Sequence, residues 1–164
     1  MGQNPLIIER SDAGALLAEV RRTLEASVAP GDRITVPTGR TPEPLFAQVV
    51  ADPAARALWG SLRYLQLDEY LDPPPGTESF RDTLARQLFD PLGVSPEARG
   101  AITAPLDPME GARLDRIHAE AGLQVCLLGL GSNGHIAFNE PGDRIAGYHV
   151  TKLTAETIEA NFGG

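Results

Sequence analysis

The chain has 164 residues, of which 42% are hydrophobic and 22% charged, and this composition fits one globular domain with a core of its own. Its formal net charge of −8 disfavours binding to a nucleic-acid backbone, and no apolar run approaches the roughly 18 residues of a membrane-spanning helix. The N-terminus lacks the basic and apolar segments of a secretory signal, and the single Cys126 permits no internal disulfide. We therefore expect a soluble protein of the reducing cytoplasm.

Strands and helices are predicted to alternate along the chain. Short β-branched or apolar runs are typical of strands, whereas apolar residues at helical spacing predict helices, the first of them capped by Ser11. The predicted elements are a strand over 6–10, a helix over 11–29, a strand over 33–37, a helix over 41–50, a strand over 62–69, helices over 79–90 and 108–122, and an apolar strand over 123–131 that is covered on both faces. This order predicts an α/β fold with a doubly wound, mainly parallel, Rossmann-like sheet and helices on both faces.

In such sheets ligands bind beyond the carboxyl ends of the strands, and three polar stretches fall at those ends. The first is VPTGRTPEPLF. Gly39 lets the backbone approach a ligand, amides at the start of the next helix favour phosphate, and Thr38 and Thr41 offer hydroxyl groups. Pro42 suits the first helical position, so the same residues also fit an ordinary capped turn between strand and helix. Both interpretations stay open from this stretch alone.

The second stretch is QLDEYL, in which Asp68 and Glu69 end an apolar strand. Neighbouring residues of a strand point to opposite faces, so one carboxylate of the pair can face a site at the edge of the sheet. That carboxylate is a candidate general base. The pair also fits a strand that simply ends in water or caps the next turn.

The third stretch, GLGSNGHIAFNEPG, contains the strongest acid/base candidate of the chain. Gly131 and its neighbouring glycines leave backbone amides accessible, and Asn133 begins a turn that presents His135. A histidine exchanges protons near neutral pH, and Glu140, folded back to one ring nitrogen, would fix the tautomer and favour the protonated ring. Alternatively, His135 is a polar residue of a tight turn, and Glu140 is a capping residue before Pro141.

The other histidines offer little chemistry. His118 falls within a polar helix, where we expect it on the solvated face, and His149 falls in a short predicted strand. No second histidine lies three or four residues from any of the three, and there is no cysteine cluster. The sequence therefore gives poor support to a metal site.

In combination, these motifs resemble one family. The order of PTGRTPEPLF, LDEYL, the serine-led helix at ESF and GLGSNGHIAFNEPG is similar to that of the glucosamine-6-phosphate deaminase (isomerase) family, within a larger group that includes 6-phosphogluconolactonases. The resemblance covers nearly the whole chain, and HIAFNEP is its most specific part. It implies conversion of glucosamine 6-phosphate and water to fructose 6-phosphate and ammonia, without a metal or an organic cofactor.

The resemblance also assigns roles to individual residues. It implies that Asp68 moves a proton between C2 and C1 of the sugar, that His135 opens the sugar ring, and that Glu140 tunes and orients His135. The implied substrate-binding residues are Thr38, Gly39, Thr41, Glu69, Gly131 and Asn133, with the phosphate near the first three. We therefore expect Asp68 and His135 to face one cleft at the carboxyl ends of adjacent strands.

Three departures from the family pattern accompany the resemblance. Asn133 stands where many members have an aspartate, and its neutral side chain removes one charge. The segments AGYHVTKL and EANFGG contain only Lys152 as a cation, where the family has phosphate-facing arginines. The family also continues beyond the last residue of this chain. We therefore expect 1–164 to be a single, incomplete sugar-phosphate isomerase/deaminase-like domain that binds sugar phosphates weakly and turns them over slowly or not at all.

Different classes of function stay open. Retention of Asp68, His135 and Glu140 favours a deaminase or isomerase, because a binding domain needs no proton relay. The missing arginines favour a sugar-phosphate-binding domain or remnant without turnover, and the shared GHxA element leaves 6-phosphogluconolactonase as a third hypothesis. The expected partner is a small amino-sugar phosphate rather than nucleic acid or membrane, and assembly into a homo-oligomer is open.

Overall fold

A computed structural model describes residues 6–102, 108–142 and 147–162, and these residues contain four short strands and seven α-helices. The elements are, in chain order, α1 (Ala13–Ser27), β1 (Arg33–Thr35), α2 (Glu43–Ala51), α3 (Pro53–Gly60), β2 (Arg63–Leu65), α4 (Phe80–Leu84), α5 (Asp90–Leu92), β3 (Arg99–Gly100), α6 (Pro108–Ala121), β4 (Val125–Cys126) and α7 (Ala155–Phe162). A π-helical turn, Ala85–Phe89, joins α4 to α5, and a 3-10 turn, Pro96–Ala98, precedes β3.

The four strands form one parallel sheet in the order β3-β2-β1-β4. All four carboxyl ends therefore lie at the same edge, from which the loops after β1, β2 and β4 emerge. The parallel α/β fold predicted from the sequence is confirmed. The prediction that Asp68 and His135 follow adjacent strands is wrong. β1 lies between β2 and β4, so the two strands that precede these residues end at the same carboxyl edge but are not neighbours.

Helices cover both faces of this sheet. Successive strand residues point to opposite faces, and they enter two separate core clusters here. Tyr64 packs in the larger cluster with Trp59 of α3, whereas Leu65 packs in the smaller one with Ile102 and with Leu114 of α6. None of the helices within the described residues is long and apolar enough to cross a membrane.

The N-terminal predictions are partly wrong. Residues 6–10 form no strand, because none of the described strands pairs with them, and Leu6 and Ile7 are 83% and 80% exposed. α1 is capped by Asp12 rather than Ser11, since Asp12 Oδ1 accepts from the amide of Ala15 at 2.8 Å. The sequence prediction also missed α3, although Asp52 before Pro53 is a helix-start signal, and the two-residue β3.

The two strands next to the predicted site are shorter than expected. β2 ends at Leu65 rather than at 69, so Asp68 and Glu69 lie in the loop that follows it. β4 contains only Val125–Cys126, and the predicted strand over 123–131 with two covered faces is wrong, because Leu128 and Leu130 are 42% and 76% exposed. Within the described residues β4 pairs only with β1, so it forms an edge of the sheet.

Candidate active site

The loop after β1 leads into α2 through the predicted phosphate turn. Gly39 has φ +100°, a conformation that residues with a side chain rarely adopt, and its surroundings are open. Thr38 is partly buried, whereas Thr41 is exposed. Pro42 is the N-cap of α2 rather than its first helical residue. The turn therefore presents backbone and hydroxyl groups at the carboxyl edge of the sheet, in front of a helix N-terminus.

Asp68 lies in the loop after β2 and is partly buried. Burial, followed by the charge of Glu69, raises the pKa of the Asp68 carboxyl group to about 7. Near neutral pH this carboxyl group therefore exists in both protonation states, as a group that accepts and then returns a proton requires.

The Glu69 side chain is held by four hydrogen bonds. Its carboxylate accepts hydrogen bonds from Gln66 Nε2 (3.0 Å) and from the amides of Tyr70 (2.9 Å), Phe80 (3.0 Å) and Arg81 (3.0 Å). Since Phe80 and Arg81 are the first residues of α4, Glu69 ties the Asp68 loop to the N-terminus of that helix. These contacts suit Glu69 to positioning Asp68.

Gln66, which lies in none of the predicted site positions, also supports this loop. Its side chain is buried, donates to the carbonyl of Asp68 (2.8 Å) and accepts from the amide of Ile102 (2.9 Å). The Tyr148 hydroxyl donates to the Gln66 carbonyl (2.5 Å). The available signal was a polar side chain in an apolar strand, since buried polar groups need hydrogen-bond partners.

A hydrogen-bonded chain of three side chains organises the loop after β4. Asn133 Nδ2 donates to Glu140 Oε2 (2.8 Å), and Asn133 Oδ1 accepts from the amide of His135 (3.1 Å). The same Oδ1 lies 2.7 Å from His135 Nδ1. A carboxylate only accepts hydrogen bonds, so Glu140 orients the Asn133 amide, and an amide oxygen only accepts, so Nδ1 carries the proton. Asn133 thus lies between Glu140 and His135, and the neutral ring presents Nε2 as its basic nitrogen.

Gly131 lies directly against the His135 ring. A Cβ atom on Gly131 would overlap three ring atoms of the imidazole, so this close approach requires glycine. The Gly131 amide also donates to the His135 carbonyl (2.9 Å), and its carbonyl accepts from the Gly134 amide (2.9 Å). The glycines thus form a tight turn that holds the imidazole rather than a loose loop.

Glu140 joins this loop to α7. Its Oε1 accepts from Thr157 Oγ1 (2.7 Å) and Thr154 Oγ1 (3.0 Å), and neither threonine belongs to a predicted site motif. Hydrogen bonds, of which that from Thr157 is the strongest influence, lower the pKa of Glu140 to about 2. Glu140 is therefore a constant negative charge at the end of the chain through Asn133 to His135.

Aromatic side chains pack the Asp68 and His135 loops together. Tyr70 packs against Phe80, Phe138 and Phe162 in tilted arrangements with ring centroids 4.5, 5.1 and 5.0 Å apart. An adjoining cavity of about 990 Å³ is lined by Asp68, Glu69 and residues 136–139, among others. His135 and the Thr38 turn are outside its lining, so the cavity meets the predicted site on the Asp68 side.

The other two histidines line the cavity beside the Asp68 loop. His118 is exposed on α6, as predicted, and His149 is exposed in a segment without strand structure. Across residues 6–102, 108–142 and 147–162, no three His, Cys, Asp or Glu side chains form a group that could hold a metal ion.

Fold and site together define a parallel α/β domain with acid/base side chains in the loops at its carboxyl edge. No family model matches the chain. It is 36% identical over 129 residues to a glucosamine-6-phosphate deaminase of Hahella chejuensis, which covers 76% of this chain and 49% of the relative. It is 35% identical over 150 residues to a glucosamine-6-phosphate deaminase of Streptomyces avermitilis, and this alignment covers 88% of this chain and 57% of the relative. A glucosamine-6-phosphate deaminase 2 of Giardia intestinalis is 32% identical over an alignment of 168 residues, which covers 97% of this chain and 63% of the relative.

Solved structures agree with these relatives. A monomeric glucosamine-6-phosphate deaminase superposes with a TM-score of 0.81 at 26% identity, covering 94% of this chain and 67% of its own. A 6-phosphogluconolactonase of Thermotoga maritima shares the fold, with a TM-score of 0.62 at 18% identity. The superposition covers 79% of this chain and 61% of the lactonase. The chain spans about half to two thirds of the length of the three relatives described above. The comparisons confirm the resemblance to glucosamine-6-phosphate deaminases that the sequence motifs predict.

Proposed function

We propose that this chain carries the acid/base site of a glucosamine-6-phosphate deaminase, which converts glucosamine 6-phosphate and water to fructose 6-phosphate and ammonia. The observation that carries the proposal is the chain from Glu140 through Asn133 to His135, which sets the tautomer of one imidazole. A domain that only binds a sugar phosphate needs no such control of a proton. Similarity to deaminases supports the same choice.

Each residue then has a step. His135 Nε2 takes the proton of the C1 hydroxyl as the C1–O5 bond breaks, and returns a proton to O5, which opens the ring. Asp68 removes the proton from C2 of the open chain and delivers it to C1, while the C1 oxygen gains a proton and the ammonium group at C2 loses one. The C1–oxygen double bond is thereby replaced by a C2–nitrogen double bond. Water then adds to the C2–nitrogen double bond, and ammonia leaves to give the ketose. Amides and hydroxyls of Thr38, Gly39 and Thr41 hold the phosphate.

The remaining assignments belong to the same proposal. Gly131 makes room for the His135 ring, Asn133 links that ring to Glu140, and Glu69 acts on the substrate by positioning Asp68. The chemistry uses side chains of this chain without a cofactor. The substrate is a small metabolite, for which we propose a cytoplasmic location.

The deciding assay measures ammonia and fructose 6-phosphate release from glucosamine 6-phosphate, together with calorimetric binding of fructose 6-phosphate. We expect equal amounts of the two products and a signal that disappears in Asp68→Asn. We also expect the weak binding and slow turnover that the exposed Lys152, in place of arginines, predicts. Binding without any Asp68-dependent product would instead favour the sugar-phosphate-binding domain.

Substitution of Gly131 tests the placement of His135. Gly131→Ala is expected to lower kcat by about a hundredfold, because the added methyl group displaces the imidazole and an error of about 1 Å has an effect of that size. Gly129→Ala is the matched control, since a Cβ at Gly129 meets nothing within 4 Å. Equal activity of both variants would show that the position of His135 is irrelevant to turnover.

The pH dependence of the reaction tests the effect of Glu69 on Asp68. The ionised Asp68 is the base, so kcat/KM should rise as the pH increases through about 7. Glu69→Gln removes a negative neighbour that raises this pKa, so the midpoint should move to lower pH while burial keeps it above the ordinary value. Asp72→Asn, an exposed change in the same loop, should leave the midpoint unchanged. A midpoint shared by all three proteins would contradict the assignment.

A further inference from the structure

A second cavity lies at the opposite edge of the sheet, where β1 and β2 begin. Its volume is about 390 Å³, and its lining includes Gly31, Asp32, Arg33, Arg63 and Gly122. Arg33 and Arg63 are direct partners in the parallel register of the two strands. Their side chains therefore leave the same face of the sheet from backbones about 4.8 Å apart. The cavity brings two guanidinium groups together, away from the loops of the candidate active site.

These two cations have no acidic partner in the part of the chain that the structure describes. Within the described residues no ion pair joins either guanidinium to a carboxylate. Arg33 Nη1 donates to the Ile117 carbonyl at 2.9 Å, but the buried Nε of Arg33 has no hydrogen-bond partner there. Among the described lining residues Asp32 alone has a carboxylate, and it accepts from the amide of Ala29 at 2.8 Å. Two positively charged side chains, one of them with an unpaired N–H group, therefore lie together in a protein whose net charge is −8.

The environment of Arg33 is unfavourable for its charge. Burial and then the nearby charge of Arg63 lower the pKa of the Arg33 guanidinium. An anion between the two side chains would reduce the repulsion between their charges and accept charge-assisted hydrogen bonds from guanidinium N–H groups. Guanidinium groups bind phosphate oxygens in a planar, two-pronged geometry, and the cavity volume lies within the usual range for small-molecule sites.

We propose that this cavity is an anion site in which Arg33 and Arg63 bind the phosphate group of a small phosphorylated metabolite or free inorganic phosphate. The site goes beyond the proposed function, because it lies at the other end of the strands and uses none of the acid/base residues. It would give the protein a second phosphate-binding position whose occupancy is independent of turnover.

The test follows amide chemical shifts by NMR while inorganic phosphate is added to the 164-residue protein in a phosphate-free buffer. We expect the signals of Gly31 and Gly122 to move with a common binding curve. Arg63→Gln should weaken that curve about tenfold, since it removes a charge-assisted contact from an exposed side chain. Arg63→Lys, which keeps the charge but loses the planar fork, should weaken it by a smaller factor.

The matched control is Arg86→Gln, which removes the same charge from an arginine of the π-helical turn that pairs with Glu78. It should leave the curve unchanged, and Gly39 reports separately on phosphate at the candidate active site. A titration with glucosamine 6-phosphate then distinguishes a sugar phosphate from free phosphate as the preferred occupant. No response of Gly31 and Gly122, or equal affinity in Arg63→Gln, Arg86→Gln and the unmodified protein, overturns the site whether or not the protein is a deaminase.

Discussion

Replacement of Asp68 by asparagine is expected to lower ammonia release by about a thousandfold and, at the same time, to stabilise the folded protein. The asparagine side chain has nearly the same shape but cannot accept the C2 proton. It also has no charge to bury, whereas Asp68 is ionised above a pH of about 7 in a partly buried position. Opposite effects on activity and stability are expected when a catalytic charge is held in an unfavourable environment.

The stability effect has a defined pH dependence. The pKa of Asp68 is raised from 3.8, its value in the unfolded chain, to about 7 in the folded protein. The folded state therefore holds the proton more tightly, and the resulting stabilisation is lost as the pH rises through about 7. The advantage of Asp68→Asn should grow between these two values and level off above them at about 2–4 kcal/mol in the free energy of unfolding.

Chemical denaturation at several pH values measures this difference. The exposed Asp72→Asn is the control, because it removes a carboxylate from the same loop without removing a buried charge. A constant difference between Asp68→Asn and the unmodified protein across the pH range would show that Asp68 has an ordinary pKa. Unchanged ammonia release in Asp68→Asn would refute its role as the base.

Replacement of Glu140 by glutamine should lower turnover by about a hundredfold by changing the tautomer of His135. Glu140 Oε1 accepts from Thr154 and Thr157, whereas Oε2 accepts from Asn133. A glutamine that keeps its oxygen toward the threonines turns its NH₂ group toward Asn133. The Asn133 amide then has to flip, which presents its own NH₂ group to His135 Nδ1.

The flipped amide requires an unprotonated Nδ1, so the proton moves to Nε2, and the ring loses its basic nitrogen on the substrate side. NMR of the imidazole nitrogens distinguishes the two tautomers directly. Glu159→Gln is the matched control, because Glu159 is an exposed carboxylate of α7, the helix that contains Thr157. This variant should keep both the tautomer and the rate. Normal turnover by Glu140→Gln with the tautomer changed would separate His135 from catalysis. An unchanged tautomer would contradict the proposed relay.

The pH range over which Glu140 acts is wide. Because its pKa is lowered to about 2, its contribution to stability is present above its unfolded value of 4.5 and is lost only as the pH falls through about 2. The charge of Glu140 therefore does not change in the range where Asp68 titrates. An ionisation near 7 in the pH–rate profile would thus not be assigned to Glu140.

Local sequence determined much of the architecture. α1, α2 and α6 follow from apolar residues at helical spacing, and the order of strands and helices was enough to predict a parallel sheet. Three polar motifs after strands were enough to place Thr38, Asp68 and His135 at one edge, because parallel strands all end on the same side. Such features depend on periodicity and chain direction, which can be read without knowing what packs against what.

Strand lengths and the roles of polar side chains depended on the tertiary structure. The apolar 123–131 run became a two-residue strand because β1 is its only neighbour among the described residues, and strand length depends on partners distant in the chain. Glu69 and Asp68 are adjacent and chemically alike, yet Glu69 accepts hydrogen bonds from the first two amides of α4, whereas Asp68 has a raised pKa. Only the fold brings Phe80 to Glu69 and Thr157 to Glu140, contacts that span 11 and 17 residues. Sequence thus determined which groups can transfer protons, whereas long-range hydrogen bonds and burial decided which of them are held ready to do so.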